Sequence, residues 1–330
     1  MCGIAGFFTG CRYQDHCSDS AEGNCRLSLN ASGAFERWHE KATVRSMPRR
    51  VIDADDSTRD MFPRQLTPIV SHPLFHQKYY ESISEFLCLQ LYRYLNFTIN
   101  LELLIVNPNI IKLSRGADVF KLTDEDVIAL HKMYVDEGYH ALFCIDMAQQ
   151  LEALTNFKPK FDLKPSFMRI FEDGFAEDAI SNVIFTAVSE TLITSNLTDV
   201  ARDKTAPEAV SKLMQDHARD ESRHHAFFKG LILRMHCDNP LGLRRQLHLI
   251  PKSIMAFIEP DRLMLRAGLL QIGVTRDDAD QIIDETYPQT IVQDYARSCS
   301  RDLINFLTEH EITRDFHLLD EMHNHNLIGA

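Results

Sequence analysis

The stretches DEGYH at residues 136–140 and DESRH at residues 220–224 decide the fold of this chain. Both have the form D-E-x-x-H, and both lie in sequence with helical periodicity. A glutamate and a histidine three residues apart lie on the same face of an α-helix, so each stretch can offer a carboxylate and an imidazole to one metal ion. A single such pattern is most often a solvated helix face, but two together predict a metal site between two helices.

Two further glutamates stand alone in apolar helical sequence. Glu102 lies in INLELLIV, about one helix length before Glu137, and Glu190 lies in IFTAVSETLIT, about one helix length before Glu221. Bundles that bind two metal ions take one glutamate from each of two helices and a Glu-x-x-His pair from each of the other two. Either glutamate alone could reach solvent or pair with a basic residue, but their matching offsets predict that both are ligands.

His217 is a seventh candidate ligand. Residues 217, 221 and 224 follow the i, i+4, i+7 spacing that places side chains on one stripe of a helix. Four carboxylates and three imidazoles suit Fe(II) or Mn(II), whereas structural zinc sites favour thiolates and closed tetrahedra. Iron is the predicted metal.

Three more polar residues are predicted to support the ligands. Asp136 and Asp220 each precede a candidate ligand glutamate. In a bundle with pseudo-twofold symmetry, Asp136 could accept the free N–H of His224, and Asp220 could accept that of His140. Arg223 could bridge the two aspartates.

The remaining pattern predicts an all-α chain. The first long helix is expected to stop at Asn107-Pro108. The second is expected to begin with a capping box of Thr123 and Asp126. The fourth is expected to have Thr205 as its N-cap and Pro207 in its first turn. No stretch predicts a sheet. The long helices are predicted at 76–106, 123–154, 175–197 and 205–236, and shorter ones at 241–258, 261–272, 276–286 and 288–309.

These segments predict a four-helix bundle with additional C-terminal helices, in a single domain over residues 66–330. Residues 1–65 are rich in Ser, Asp, Arg and Gly, which predicts an irregular, partly mobile segment.

Composition narrows the functions that the chain can have. It has 330 residues, 45% of them apolar, and a formal net charge of -12. A negative balance argues against nucleic-acid and anionic-membrane partners, and the start MCGIAGFFTGCR is too short and too poor in positive charge for a signal peptide. A cytoplasmic location is therefore expected. The eight cysteines do not have the spacing of a disulfide framework.

The phrases DEGYHALF and DESRHHAFF, with the two lone glutamates, resemble the ferritin-like diiron-carboxylate proteins. With His217 added, they resemble the arylamine N-oxygenases typified by p-aminobenzoate N-oxygenase (AurF-type), which carry a seventh, histidine ligand. The resemblance covers residues 76–236 with specific motifs, covers the C-terminal helices more loosely and does not cover residues 1–65. Carried over position by position, it implies a diiron site at Glu102, Glu137, His140, Glu190, His217, Glu221 and His224.

The resemblance implies a ferritin-like bundle that holds two carboxylate-bridged irons and uses O₂ as co-substrate. It also implies an external electron donor, a homodimer, and oxidation of a small aromatic amine through hydroxylamine and nitroso to nitro, in natural-product biosynthesis such as that of antibiotics. An arginine would meet a substrate carboxylate, and aromatic side chains would line the pocket. The candidates for substrate binding are Arg93, Phe97, Tyr139, Arg297 and Arg301, with Tyr92, Phe143 and Phe185 as further aromatic candidates.

Three other functions stay open. A diiron oxidase or desaturase acting on an acyl chain or another C–H substrate would use the same ligands. An iron-storage or radical-harbouring bundle is less favoured, because Cys144 stands where radical subunits of ribonucleotide reductase carry tyrosine. The opening MCGIAGFF resembles class II glutamine amidotransferases, with Cys2 as nucleophile, but too few residues precede the first predicted helix for the β-rich domain that this chemistry needs.

Overall fold

The computed structural model describes residues 31–116, 120–162 and 164–328. Over these ranges it contains helices and no strand, which confirms the predicted all-α class. None of the described helices combines the length and apolar character needed to cross a lipid bilayer. The α-helices are α1 (Trp38–Lys41), α2 (Thr43–Ser46), α3 (Pro73–Lys78), α4 (Ile83–Leu101), α5 (Asn107–Ser114), α6 (Asp124–Thr155), α7 (Ser166–Gly174), α8 (Ala179–Arg202), α9 (Glu208–Asp238), α10 (Pro240–Gln246), α11 (Leu249–Ile258), α12 (Arg262–Gln271), α13 (Arg276–Thr286), α14 (Gln289–Cys299), α15 (Arg301–Glu309) and α16 (Phe316–Asn324).

Four long helical segments form the ferritin-like bundle. Three of them are α6, α8 and α9, and the fourth is α4 continued through a π-turn, Glu102–Val106, into α5. Helix α8 packs along α9, both α4 and α5 pack on α6, and α6 also contacts α9. The C-terminal helices cover the outside, with α10 and α11 on α8 and α12 on α4. The inward faces of all four segments therefore meet along one axis.

Helix α6 begins with the predicted capping box. The Thr123 hydroxyl accepts a hydrogen bond from the Asp126 backbone N–H at 3.2 Å, and the Asp126 carboxylate accepts one from the Thr123 backbone N–H at 2.9 Å. Burial raises the pKa of Asp126, but hydrogen bonds from Arg234 and Thr123 outweigh this effect and hold it below its usual range. The box fixes the start of the helix that carries Glu137 and His140.

The predicted helix stop at Asn107-Pro108 is wrong, because the helix continues to Ser114. Before Pro108 the chain makes a π-turn, in which the Asn107 amide donates to the Glu102 carbonyl five residues earlier. Proline lacks an N–H, and in a regular α-helix its ring clashes with the carbonyl four residues before it. The wider turn relieves this conflict and lets the helix pass through the proline.

Thr205 is not the N-cap of α9, so this prediction is also wrong. The Asp203 carboxylate accepts hydrogen bonds from the Thr205 backbone N–H at 2.7 Å and from its hydroxyl at 2.6 Å, so the hydroxyl is used in the preceding turn. Helix α9 begins at Glu208, after Pro207, without a side-chain cap. The predicted helices at 241–258 and 288–309 are each two helices in the structure, and the predicted helix at 76–106 is interrupted between α3 and α4. Helices α7 and α16 were not among the predicted helices.

Residues 31–65 carry only short helices and lie against the bundle. The 3-10 turn Ala31–Phe35 packs on α6 and α9, and α2 contacts the same two helices. Phe35, Trp38 and Thr43 are buried. The chain before the bundle thus contributes to its core, while the division at residue 65 stays a prediction. Residues 1–30, with Cys2, Cys11, Cys17 and Cys25, lie outside the described residues.

Candidate metal centre

The structure brings all seven predicted ligands to one place in the bundle. The π-turn supplies one, α6 two, α8 one and α9 three, and each residue is at most 1% exposed. Their oxygen and nitrogen atoms form overlapping groups, and within each group these atoms lie within 4.8 Å of one another. The seven residues are Glu102, Glu137, His140, Glu190, His217, Glu221 and His224.

Glu137 and Glu221 lie between His140 and His224, and each has one carboxylate oxygen near each of these two histidines. Glu137 Oε2 is 2.8 Å from His140 Nδ1, and its Oε1 is 2.6 Å from His224 Nδ1. Glu221 Oε1 is 3.2 Å from His140 Nδ1, and its Oε2 is 3.5 Å from His224 Nδ1. Because each carboxylate serves two neighbouring positions, Glu137 and Glu221 are placed to bridge two cations.

The other ligands can be assigned to two sides by their shortest contacts, and the sides overlap, because His140 also groups with His224 and Glu102 with Glu190. On the His217 side, formed by Glu102, His140 and His217, the His217 Nε2 lies 3.7 Å from Glu102 Oε1 and the His140 and His217 ring centroids are 4.2 Å apart. On the Glu190 side, formed by Glu190 and His224, Glu190 Oε2 lies 3.7 Å from His224 Nδ1. Glu221 Oε1 is also 3.0 Å from His217 Nε2. The His217 side therefore has one imidazole more than the Glu190 side.

Several atoms inside the cluster make no well-formed hydrogen bond to any described residue although they are fully buried. A buried polar atom without such a bond costs about 1–3 kcal/mol, and more if it is charged. Cations among these atoms would satisfy them, and carboxylate oxygens with imidazole nitrogens suit Fe(II) or Mn(II). The residues therefore fit a dinuclear metal centre. These atoms are Glu102 Oε2, Glu137 Oε1, both Glu221 Oε atoms, His217 Nε2 and His224 Nδ1.

The histidines of the two D-E-x-x-H stretches are held from outside by carboxylates, in the arrangement that the pseudo-twofold symmetry predicts. His140 Nε2 is 3.2 Å from Asp220 Oδ2, and His224 Nε2 is 3.3 Å from Asp136 Oδ2. The guanidinium of Arg223 donates to both aspartates, with Nη2 3.3 Å from Asp136 Oδ2. A carboxylate on the outer nitrogen fixes the tautomer and directs the inner nitrogen to the metal position.

The outer nitrogen of His217 faces Tyr94, a residue that the sequence analysis missed. The Tyr94 hydroxyl lies 3.4 Å from His217 Nδ1. Burial, with the nearby acidic groups, raises the pKa of Tyr94 well above its usual value, so the hydroxyl keeps its proton. Residues 94, 98 and 102 follow i, i+4, i+8 on one helix face, so the spacing from Glu102 could have identified Tyr94 as a residue that faces the metal centre.

Electrostatics separate the members of the cluster. Burial raises the pKa of Glu102 and Glu190 well above the ordinary value, and repulsion from the other carboxylates adds to this effect. Burial acts on Glu221 in the same direction, but the charge of His224 and close contacts with the other members of the cluster hold its pKa well below the usual range. Burial lowers the pKa of His140 and His224, and their carboxylate partners more than reverse it. Without metal, the raised pKa values of Glu102, Glu190, His140 and His224 favour the protonated forms of these groups.

Metal binding should weaken as the pH falls, because a metal ion must displace these protons. Carboxyl groups with raised pKa values take up protons at higher pH than ordinary ones, so the weakening should already appear in mildly acidic solution. The dissociation constant for Co(II), measured by chelator competition across mildly acidic to mildly alkaline pH, should fall as the pH rises. Co(II) addition to weakly buffered protein should release protons. A dissociation constant that is independent of pH would contradict this assignment.

The predicted substrate-binding residues are distributed over different parts of the molecule. Arg93 lines a cavity of about 220 Å³ between α4 and α12. Arg297 and Arg301 are exposed and line a separate depression of about 300 Å³. Phe97 packs on Phe167, with ring centroids 4.6 Å apart. None of the candidate ligands lines either cavity.

Tyr139 and Phe143 line a third cavity, of about 270 Å³, that lies beside the His217 side. The Phe143 ring is 5.3 Å from the ring of His140 and 5.6 Å from that of His217. Tyr139 meets Phe143 edge to face at 5.5 Å. The other two aromatic candidates lie elsewhere: Tyr92 donates to the Phe157 carbonyl at 3.0 Å, and Phe185 is a core residue packed on Phe171, Phe175 and Phe257.

Comparison with known proteins agrees with this geometry. Residues 36–311 match the family model described as P-aminobenzoate N-oxygenase AurF. The chain is also 26% identical over 263 residues to the 4-aminobenzoate N-oxygenase of Streptomyces thioluteus, an alignment that covers 73% of this chain and 77% of that protein. The family match begins before Trp38, so it includes part of the segment that the motif resemblance left out. The chain therefore belongs to the p-aminobenzoate N-oxygenase AurF family and is an oxidoreductase of the N-oxygenase type.

Proposed function

We propose that this protein is a diiron enzyme that uses O₂ to oxidise a small aromatic amine to the nitro compound through hydroxylamine and nitroso stages. The observation that carries the proposal is the buried cluster in which Glu137 and Glu221 each direct one oxygen to both sides. Two irons bound there would supply the redox chemistry for O₂ activation. Membership of the AurF family supports nitrogen as the atom that is oxidised.

The protein's own part is to hold and shield this centre. Asp136 and Asp220 orient His224 and His140, and the Tyr94 hydroxyl lies at the outer nitrogen of His217. All candidate ligands are shielded from solvent, and a dry site limits side reactions with water.

The cavity beside the His217 side is the best-placed entry for an amine. None of the candidate ligands lines this cavity, but Phe143 lines it and also contacts the rings of His140 and His217. Tyr139 lines it too, which supports its predicted contact with substrate. The two arginines of the lining are paired, Arg49 with Asp146 and Arg50 with Asp216. The cavity's volume of about 270 Å³ suits a ligand of one aromatic ring.

Other parts of the proposal rest on the family alone. They are an external electron donor, a homodimer and a role in natural-product biosynthesis, whereas the proposed cytoplasmic location rests on the composition of the sequence. A diiron oxidase or desaturase that acts on a C–H substrate would use the same ligands, and the family match favours N-oxygenation over it.

The decisive experiment is aerobic turnover of the iron-loaded protein with a reductant and a panel of para-substituted anilines. We expect nitroarene absorbance to appear with at least one panel member, and ¹⁸O₂ to place the label in the nitro group. Metal-free protein is the control. Lack of any N-oxygenated product across the panel, with two irons bound per chain, would refute the arylamine as the substrate class and would not affect the assignment of the metal centre. Conversion of an acyl substrate under the same conditions would support the oxidase alternative.

A further inference from the structure

We infer that Trp38 and Thr43 are positioning residues of the metal centre, acting through the two aspartates that hold its histidines. The inference rests on the metal centre within the proposed function, and it is independent of the substrate that is oxidised. The segment concerned, residues 35–43, is called the Trp38 segment below. It precedes the bundle in sequence and carries none of the candidate ligands.

Trp38 binds Asp136 directly. Its indole Nε1 is 2.8 Å from each carboxylate oxygen of Asp136, and both residues are buried, with 7% and 0% exposure. An indole N–H can only donate, so this contact always presents a donor to the carboxylate. The same carboxylate accepts from His224 and from Arg223. Trp38 therefore fixes the orientation of the group that orients His224.

Thr43 does the same for Asp220 on the opposite side. Its hydroxyl donates to Asp220, and its backbone N–H lies 3.2 Å from Oδ1 and 3.3 Å from Oδ2 of that carboxylate. The extended ψ of 136° at Ala42 separates α1 from α2, and it leaves the Thr43 N–H at the start of α2, where no intrahelical acceptor exists. Asp220 in turn meets His140.

The Trp38 segment also covers one histidine directly. The ring of Phe35 stacks on that of His224, with centroids 5.9 Å apart and an interplanar angle of 5°. Lys132 of α6 donates to the Phe35 carbonyl at 3.0 Å and ties the segment to the bundle. The segment thus contacts both histidine–aspartate pairs, His224 with Asp136 and His140 with Asp220. Loss of these contacts should make the orientation of both histidines less fixed.

Trp38 is the sole tryptophan of the chain, which provides a direct optical readout. Its indole is joined to the metal position through Asp136, whose carboxylate accepts one hydrogen bond from Trp38 and another from His224. Binding of Co(II) at the centre should therefore change the tryptophan emission, and the titration follows metal binding without any substrate.

The test compares Trp38→Phe and Thr43→Val with wild type in Co(II) affinity, measured by chelator competition. Outer partners of metal-bound histidines typically contribute 10–100-fold to metal affinity, and for residues one contact further out we expect about tenfold weaker binding. Thr43→Ser keeps the hydroxyl and should restore wild-type affinity. The matched control is Thr67→Val, because Thr67 is also buried and its hydroxyl donates to the local Pro63 carbonyl, with no other partner among the described residues.

Melting temperatures of the metal-free variants separate positioning from folding. Wild-type Co(II) affinity in both Trp38→Phe and Thr43→Val would overturn the inference, even if both variants melt at lower temperature. Equal weakening in Thr67→Val, or no rescue by Thr43→Ser, would also overturn it. Failure of the aniline panel would leave these affinities unchanged, so the inference and the proposed substrate class are tested separately.

Discussion

Glu221→Ala should remove both metal ions and with them the turnover. Glu221 Oε1 faces His140 and His217, and its Oε2 faces His224, so one substitution takes an oxygen from each side of the centre. Removal of a residue that only hydrogen-bonds a metal ligand lowers metal affinity or activity by up to about 100-fold. Glu221→Ala should lower both by more than this. Metal analysis after dialysis should give less than one ion per chain, and nitroarene formation should fall to background.

The matched control for this substitution is Glu208→Ala. Glu208 lies on the same helix, is exposed and pairs with Lys212 one turn later, away from the candidate ligands, so metal content and turnover should be unchanged. Retention of two ions in Glu221→Ala would show that this carboxylate is not shared between two metals. Equal losses in both variants would point instead to damage to α9.

His217→Ala should have a different result, in which one ion is lost and one is kept. His217 Nε2 lies near Glu102 and Glu221. The contact between Glu190 and His224 on the Glu190 side does not involve His217. At limiting metal we expect about one ion per chain, and affinity for the second ion should be at least about 100-fold weaker. Turnover should be lost, because the proposed chemistry needs both metals.

His225→Ala is the control for the histidine variant. His225 lies next to His224 in sequence but belongs to none of the groups of converging ligand atoms, and burial with nearby Lys229 lowers its pKa to about 4. Its removal should leave two ions bound. Loss of both ions in His217→Ala would contradict the division into two sides, and retention of both would remove His217 from the ligand set.

The ligand cluster could be predicted from sequence because the spacing of its residues within each helix determines which side chains share a face. The spacing of Glu137 and His140, and of Glu221 and His224, fixes one helix face each, and a lone buried glutamate at a matching offset is informative because burying it without a cation is costly. The capping box of Thr123 and Asp126 is equally local, and it too is present in the structure.

The Trp38 segment could not be predicted in the same way. Its helices have four residues each, too short for periodicity to appear, and the contacts that give it meaning are non-local. Trp38 meets Asp136 across 98 residues, and Thr43 meets Asp220 across 177. Such contacts depend on tertiary packing, which neither propensity nor spacing encodes.

The substrate-binding residues were poorly predictable for another reason. The prediction for Arg297 and Arg301 rests on charge alone, and charge does not distinguish a pocket arginine from an exposed one. In the structure both are exposed, and Arg297 pairs with Asp294 at 2.5 Å. Tyr139 lies within a D-E-x-x-H stretch, so α6 itself brings it to the cavity beside the centre, and its contact with substrate stays a prediction.

The π-turn makes the length of its helix, as well as its composition, part of the metal centre. A π-turn holds one residue more than an α-turn, and each residue of a helix advances its rotation by about 100°. Leu103 and Leu104 within the turn are 42% and 52% exposed, so their side chains have little packing to lose. Deleting either one would nevertheless rotate α4 against α5, and the chain could then no longer keep Glu102 inside and the apolar face of α5 on α6 at the same time. At these two positions the number of residues matters more than their identity.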